Sequence, residues 1–134
     1  DGDGDGDAKE EGGDNGGGIA LLAHSAGGWL GRVFLAEHTS PADSGVGLLL
    51  TLGSPHLPPP PGAPGVVDQT RGILPHVHRT APGCHHAPEG VRYVTVAGRF
   101  VRGARLRDGG APWGERLVGQ GYKQVCGSAE VWGD

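Results

Sequence analysis

The chain has 134 residues, of which 28 are Gly and 11 are Pro, so more than a quarter of it is poorly suited to element interiors and one modest core is the ceiling. Its 11 Lys and Arg against 15 Asp and Glu give a formal net charge of -4, and the arginines are scattered through the second half, so a basic footprint for nucleic acid is missing. No apolar run approaches the roughly 20 residues of a membrane span, and no basic-then-apolar leader opens the chain.

Residues 1–18 (DGDGDGDAKEEGGDNGGG) alternate carboxylate with glycine and offer no apolar group to offset the entropy of ordering, which predicts a disordered acidic tail. The alternation lacks the spaced ligands and closing Glu of an EF-hand loop. With no Met anywhere, position 1 included, the chain reads as a fragment of a longer protein. Cys84 and Cys126 are expected reduced, since nothing in the sequence signals an oxidising compartment.

From Ile19 the texture changes. Ile-Ala-Leu-Leu-Ala is a short continuous apolar run that predicts a strand covered on both faces, as in parallel sheets. Trp29, Leu30, Val33, Phe34 and Glu37 then fall at helical spacing, and Ser40-Pro41 closes that element. Val46 to Leu52 (VGLLLTL) predicts a second buried strand, and "GSPHLPPPPGAPG" after it must be loop, because proline cannot donate to a ladder. Val66 to Val77 has a weak helical rhythm interrupted at Pro75. Val91 to Ala97 is β-branched and alternating, a third strand; Gly103 to Gly114 is irregular; and Glu115 to Val125 predicts a short helix. Strand, helix, strand, helix, strand is the order of an α/β fold with a parallel sheet and crossover helices.

The junction "LLAHSAGG" carries the chemistry. A sharp strand-to-helix turn needs small residues beside its apex, and Ala23, Gly27 and Gly28 supply them. Such a turn lifts Ser25 at the carboxyl end of the strand and aims the first N–H groups of the helix, that of Ala26 first, at whatever Ser25 attacks. The pattern is G-x-S-x-G with Ala in place of the first Gly. A competing reading makes Ser25 an ordinary helix N-cap. The glycine spacing and the missing Lys fit neither nucleotide-binding fingerprint.

These residues resemble the α/β-hydrolase superfamily, in particular a lipase-like group of plants and algae related to the GPI inositol-deacylase type. The blocks "LLAHSAGGWLGRVFLAE", "LLLTLGSPHLPPPPGAPGVVDQTRG", "RYVTVAGRFVRGARL" and "ERLVGQGYKQVCGSAEVWGD" are similar to successive blocks of that group and span Ile19 to Asp134. "TLGSPH" is similar to the Ser-Pro-His turn after the next strand in many lipases. The resemblance implies a partial α/β-hydrolase domain over residues 19–134. It also implies hydrolysis of an ester or lipid substrate by a Ser, acid, His triad, without metal or organic cofactor. A longer parent chain of this kind would suit a plastid or endoplasmic-reticulum membrane surface.

In that superfamily the acid follows the serine in chain order and the histidine follows the acid. "VWGD" resembles the segment that ends in the triad acid, which makes Asp134 the expected partner, with Asp68, in the helix-like segment just past the proline loop, and Asp108, in an Arg-rich loop, as rivals for which solvated pairing is the ordinary explanation. The catalytic histidine is then expected beyond Asp134. His24 adjoins the nucleophile but points elsewhere on the turn, and His56 belongs to the Ser-Pro-His loop in a structural or pocket-lining role. The cluster "HVHRTAPGCHH" raises a zinc site, but its spacing matches no usual zinc pattern. The second oxyanion donor is likewise expected upstream of Ile19, so the isolated chain should be nearly inert. A reading from a different class keeps the fold without catalysis and uses the tetraproline Pro58 to Pro61 as a polyproline II ligand in a binding or scaffold protein.

Overall fold

Apolar β-branched and leucine-rich runs separated by Gly and Pro favour short strands joined by crossovers, and the computed structural model, which describes residues 18–133, has that organisation. Strands β1 (Ile19–His24), β2 (Val46–Leu52) and β3 (Arg92–Val96) form a parallel sheet in the order β1-β2-β3. The pairing aligns Leu21, Leu49 and Tyr93 in one row and Ala23, Thr51 and Thr95 in another. The fold is therefore α/β, with helices packed against a three-stranded parallel sheet. The acidic tail expected over 1–18, apart from Gly18, and the candidate acid Asp134 both lie outside the described residues.

Helix α1 (Ala26–Val33) follows β1 after a single residue and crosses the sheet face that carries Leu49. Its continuation over Phe34–His38 widens to i,i+5 bonding, closed by the Thr39 N–H donating to the Phe34 carbonyl at 3.1 Å. Leu35 near the start of this segment packs with Val46 and Val91, flanked by Leu21 and Tyr93, and this cluster is the core of the sheet's covered face. Burying side chains of this size stabilises the fold by about 1.5–3 kcal/mol each relative to exposure. Ser40-Pro41 ends the first helix as expected and also begins another, the short α2 (Pro41–Ser44), in which Ser40 Oγ accepts from the Asp43 N–H at 3.1 Å.

The expectation that β1 is covered on both faces is not met. Leu22, Leu50 and Val94 lie in register on the face opposite Leu49, where Leu22 is 70% and Val94 42% exposed. The run is apolar in both directions, but the described helices pack against one face only, so alternate residues of β1 stay in solvent.

Past β2 the chain differs from the expected helix over Val66 to Val77. Residues 66–68 are irregular, 69–72 form turns, and helix α3 spans Ile73–Thr80. Pro75 does not interrupt it, because it occupies the first turn, where an N–H would have no intrahelical partner. Leu74 and Val77 are buried.

The last helix, α4 (Trp113–Cys126), begins two residues earlier than expected and packs beside a small antiparallel pair that sequence patterning did not signal. In that pair β4 (Val101–Arg102) aligns with β5 (Trp132–Gly133). Gly119 allows α4 to lie directly on the backbone of Ala104, whose nitrogen would be 2.6 Å from a Cβ built at that position. Cys84 and Cys126 are both free thiols on the surface.

Candidate active site at the β1–α1 elbow

A strand that turns into a helix within one residue must bend that residue's backbone out of the ordinary regions, and Ser25 does so. Its φ of 52 and ψ of -123 place it where L side chains cost about 1–3 kcal/mol. Two features hold the bend. The Ser25 N–H donates to the Leu52 carbonyl at 2.9 Å, extending the β1–β2 ladder by one bond, and the Gly28 N–H donates back to the Ser25 carbonyl at 3.1 Å. The Ser25 side chain is exposed and makes no cap hydrogen bond, so the N-cap role is not realised.

Of the small residues beside the apex, one is indispensable. A Cβ on Gly28 would collide with the Ser54 hydroxyl, lie 2.5 Å from Ser54 Cβ and 3.1 Å from Thr51 Cγ2, whereas a Cβ on Gly27 would meet only Ala23 Cβ at an ordinary 3.5 Å. The close approach at Gly28 brings the first turn of α1 down onto the end of β2. Ser25 then stands at the rim where β1 and β2 end, and the N–H groups of Ala26 and Gly27 open the helix beside it.

Ser25 and Ala26 line a cleft of about 210 Å³ whose walls are Trp29, Pro55, Pro59, Leu74 and Val125. Four polar residues, Asp68, Gln69, Thr70 and Gln124, complete it. Gln124 ties α4 to the proline loop: its Oε1 accepts from the Val67 N–H and its Nε2 donates to the Gly65 carbonyl, both at 2.9 Å. The tetraproline is thereby part of the cleft wall, with Pro59 against the Ser25 cleft and Pro58, Pro60 and Pro61 along the adjoining groove.

Asp68, expected in a helix-like segment, lies instead in the irregular stretch before α3 and stands at this cleft, which patterning alone did not indicate. Its carboxylate accepts from the Thr70 hydroxyl at 2.6 Å, the Thr70 N–H at 2.8 Å and the Gly72 N–H at 2.7 Å. The Thr70 hydroxyl is the largest influence holding its carboxyl below the usual 3.8, desolvation opposes it, and the two N–H groups add to the lowering. The signal for this turn was the Asp-x-Thr spacing, an Asx-type cap. Asp108, the other rival, accepts from the Gly110 N–H at 3.0 Å in an exposed loop.

Among the described residues no histidine lines the Ser25 cleft. His24 is exposed at the end of β1, opposite Leu52. His56 lies under the loop after β2, its Nε2 3.0 Å from Thr51 Oγ1 and 3.3 Å from Thr95 Oγ1. Its carbonyl accepts from Arg32, a buried side chain of α1 that also donates to the Ala81 carbonyl at 2.6 Å. This arginine ties the helix behind the elbow to two loops and was not singled out from sequence, where nothing distinguishes it from the exposed arginines.

Burial, and secondarily the Arg32 charge, hold the His56 pKa below its ordinary 6.5. The unfolded chain then binds more protons than the folded one around and below pH 6.5, so this contribution to stability is complete above 6.5 and is lost as pH falls through the folded value. Urea midpoints measured from pH 7.5 down to pH 5 should therefore fall more steeply for the natural chain than for His56→Gln.

The histidine cluster is dispersed. His76 contacts Glu37, His86 Nδ1 is 2.9 Å from Glu89 Oε1, and His78 and His85 are exposed. Among the described residues no three His, Cys, Asp or Glu side chains come together in a way that could hold a metal ion. Among them, too, no helix is long and apolar enough to cross a membrane. Compared with protein-family models, with curated proteins and with solved structures, the chain matches none.

Proposed function

We propose that this chain carries the nucleophile of a serine ester hydrolase, with a partial α/β-hydrolase fold built around β1, β2 and β3. The observation that supports it most is the backbone of Ser25: a non-glycine residue at φ 52, exposed, uncapped, and set between a parallel strand and a helix N-terminus beside an apolar cleft. A strained residue whose side chain makes no hydrogen bond among the described residues is expensive to keep unless the strain serves a reaction.

In this reading Ser25 Oγ adds to the acyl carbon of an ester, forming the Oγ–C bond as the carbonyl pair moves onto oxygen. The Ala26 N–H and the positive end of α1 face that developing charge. Collapse breaks the bond to the alcohol oxygen, which leaves with the electron pair and takes up the serine proton. Water then adds to the acyl-Ser25 carbon, releases the acid and returns a proton to Ser25. The proton carrier is a histidine oriented by Asp134, following the chain order of the resembled superfamily. Its substrate is an ester, with lipid acyl groups and GPI-type inositol esters included by that resemblance.

Mixing the 134-residue chain with a short-chain nitrophenyl ester tests this. The expected result is a slow release that stops near one nitrophenolate per chain, with the acyl mass on Ser25, because among the described residues no histidine lines the cleft to speed either half-reaction. An unmodified Ser25 would favour a non-catalytic scaffold instead.

A further inference from the structure

Resting on Ser25 as the nucleophile, we propose that the adjoining cleft seats an uncharged acyl chain of about eight carbons or fewer and that Asp68 excludes acyl chains ending in an anion. Size sets the first limit: a cavity of about 150 Å³ holds the six carbons of benzene, so 210 Å³ scales to about eight. The walls are apolar and stiff. Pro55 and Pro59 stand on one loop, Trp29 and Leu74 are buried on their helices, and the half-exposed Val125 forms the outer side from α4.

Most hydrogen-bonding groups of the polar rim are committed within the protein. The Thr70 hydroxyl donates to Asp68 and accepts from the Leu74 N–H at 3.0 Å. Both ends of the Gln124 amide hold the proline loop, and the Gln69 amide donates to the Val67 carbonyl at 3.3 Å. What the rim presents to an occupant is mainly the Asp68 carboxylate, a fixed negative charge with no cation paired to it among the described residues. Apolar atoms gain from entering such a cleft and an anion loses.

The experiment uses the 134-residue chain and alkyl fluorophosphonates with ethyl, butyl, octyl and hexadecyl chains, plus an octyl chain ending in carboxylate. Phosphonylation at Ser25 is followed by mass spectrometry. The rate at low probe concentration should rise by about fourfold per methylene and level off near octyl. The carboxylate-ended probe should react at least tenfold slower than its neutral counterpart. Val125→Phe, on the outer wall, should move the plateau to shorter chains.

Rates independent of chain length, rates that climb unbroken to hexadecyl, or equal rates for charged and neutral octyl probes would overturn the proposal. Should no probe modify Ser25, the nucleophile reading fails, and the cleft is decided separately by the fluorescence of Trp29 in a Trp113→Phe, Trp132→Phe chain. A saturable change with 1-octanol but not with octanoate supports the seat; no saturable change overturns it.

Discussion

Ser25→Gly should yield a chain about 1 kcal/mol more stable than the natural one and unable to form any acyl or phosphonyl adduct at position 25. At φ 52 and ψ -123 the natural residue holds its Cβ in a region that costs about 1–3 kcal/mol, and glycine removes that cost. Against this stands the greater freedom of glycine in the unfolded chain, about 0.4–1 kcal/mol, which leaves a net gain. Ser25→Ala separates the two effects. It keeps the Cβ and the strain, so its urea midpoint should stay close to the natural chain, while it too loses the adduct. Loss of the nucleophile in a well-studied protease costs on the order of 10⁶ in turnover, so no residual adduct is expected from either variant. A less stable Ser25→Gly chain would mean that the elbow stores no strain.

Gly28→Ala should destabilise the chain by about 2–3 kcal/mol, although alanine is the better helix former. The added Cβ would run into Ser54, whose own Cβ is 2.5 Å away and cannot be removed by rotating the side chain, and would press on Thr51 Cγ2 at 3.1 Å. Helix α1 must then lift from β2, and the elbow lifts with it. Gly27→Ala one position earlier is the control. Its Cβ meets Ala23 at 3.5 Å, so the helix-propensity gain should leave stability unchanged or slightly raised. Removing the obstacle with Ser54→Gly should restore part of what Gly28→Ala loses, and the double-mutant cycle in urea should show a coupling above about 0.5 kcal/mol.

The elbow was legible because its determinants are local: an apolar run, one polar residue, then small residues before an amphipathic stretch. The parallel sheet was legible for a similar reason, since three strand-like runs separated by long connections leave few other topologies. Long-range facts were not. Nothing in the Leu-rich composition of β1 says whether helices cover one face or two, and Leu22 lies bare while Leu49 is sealed. Asp68 was set aside as a solvated residue of a helix-like segment because its distance from Ser25 along the chain hides the fold that brings both to one cleft. Arg32 was overlooked because its partners, the carbonyls of His56 and Ala81, are backbone groups that no side-chain motif records. Pro75 misled through a rule correct for helix interiors and inapplicable to a first turn.

Folding should make the Ser25 hydroxyl reactive, which is measured by the rate of its phosphonylation by a neutral octyl fluorophosphonate in the folded chain and in the same chain unfolded in urea, at one pH. If the elbow presents that oxygen to the cleft with the Ala26 N–H poised for the oxyanion, the folded rate should exceed the unfolded one by about 10² or more, the weight of one oxyanion donor. Equal rates in the two states, or modification of Ser54 in preference to Ser25, would contradict it.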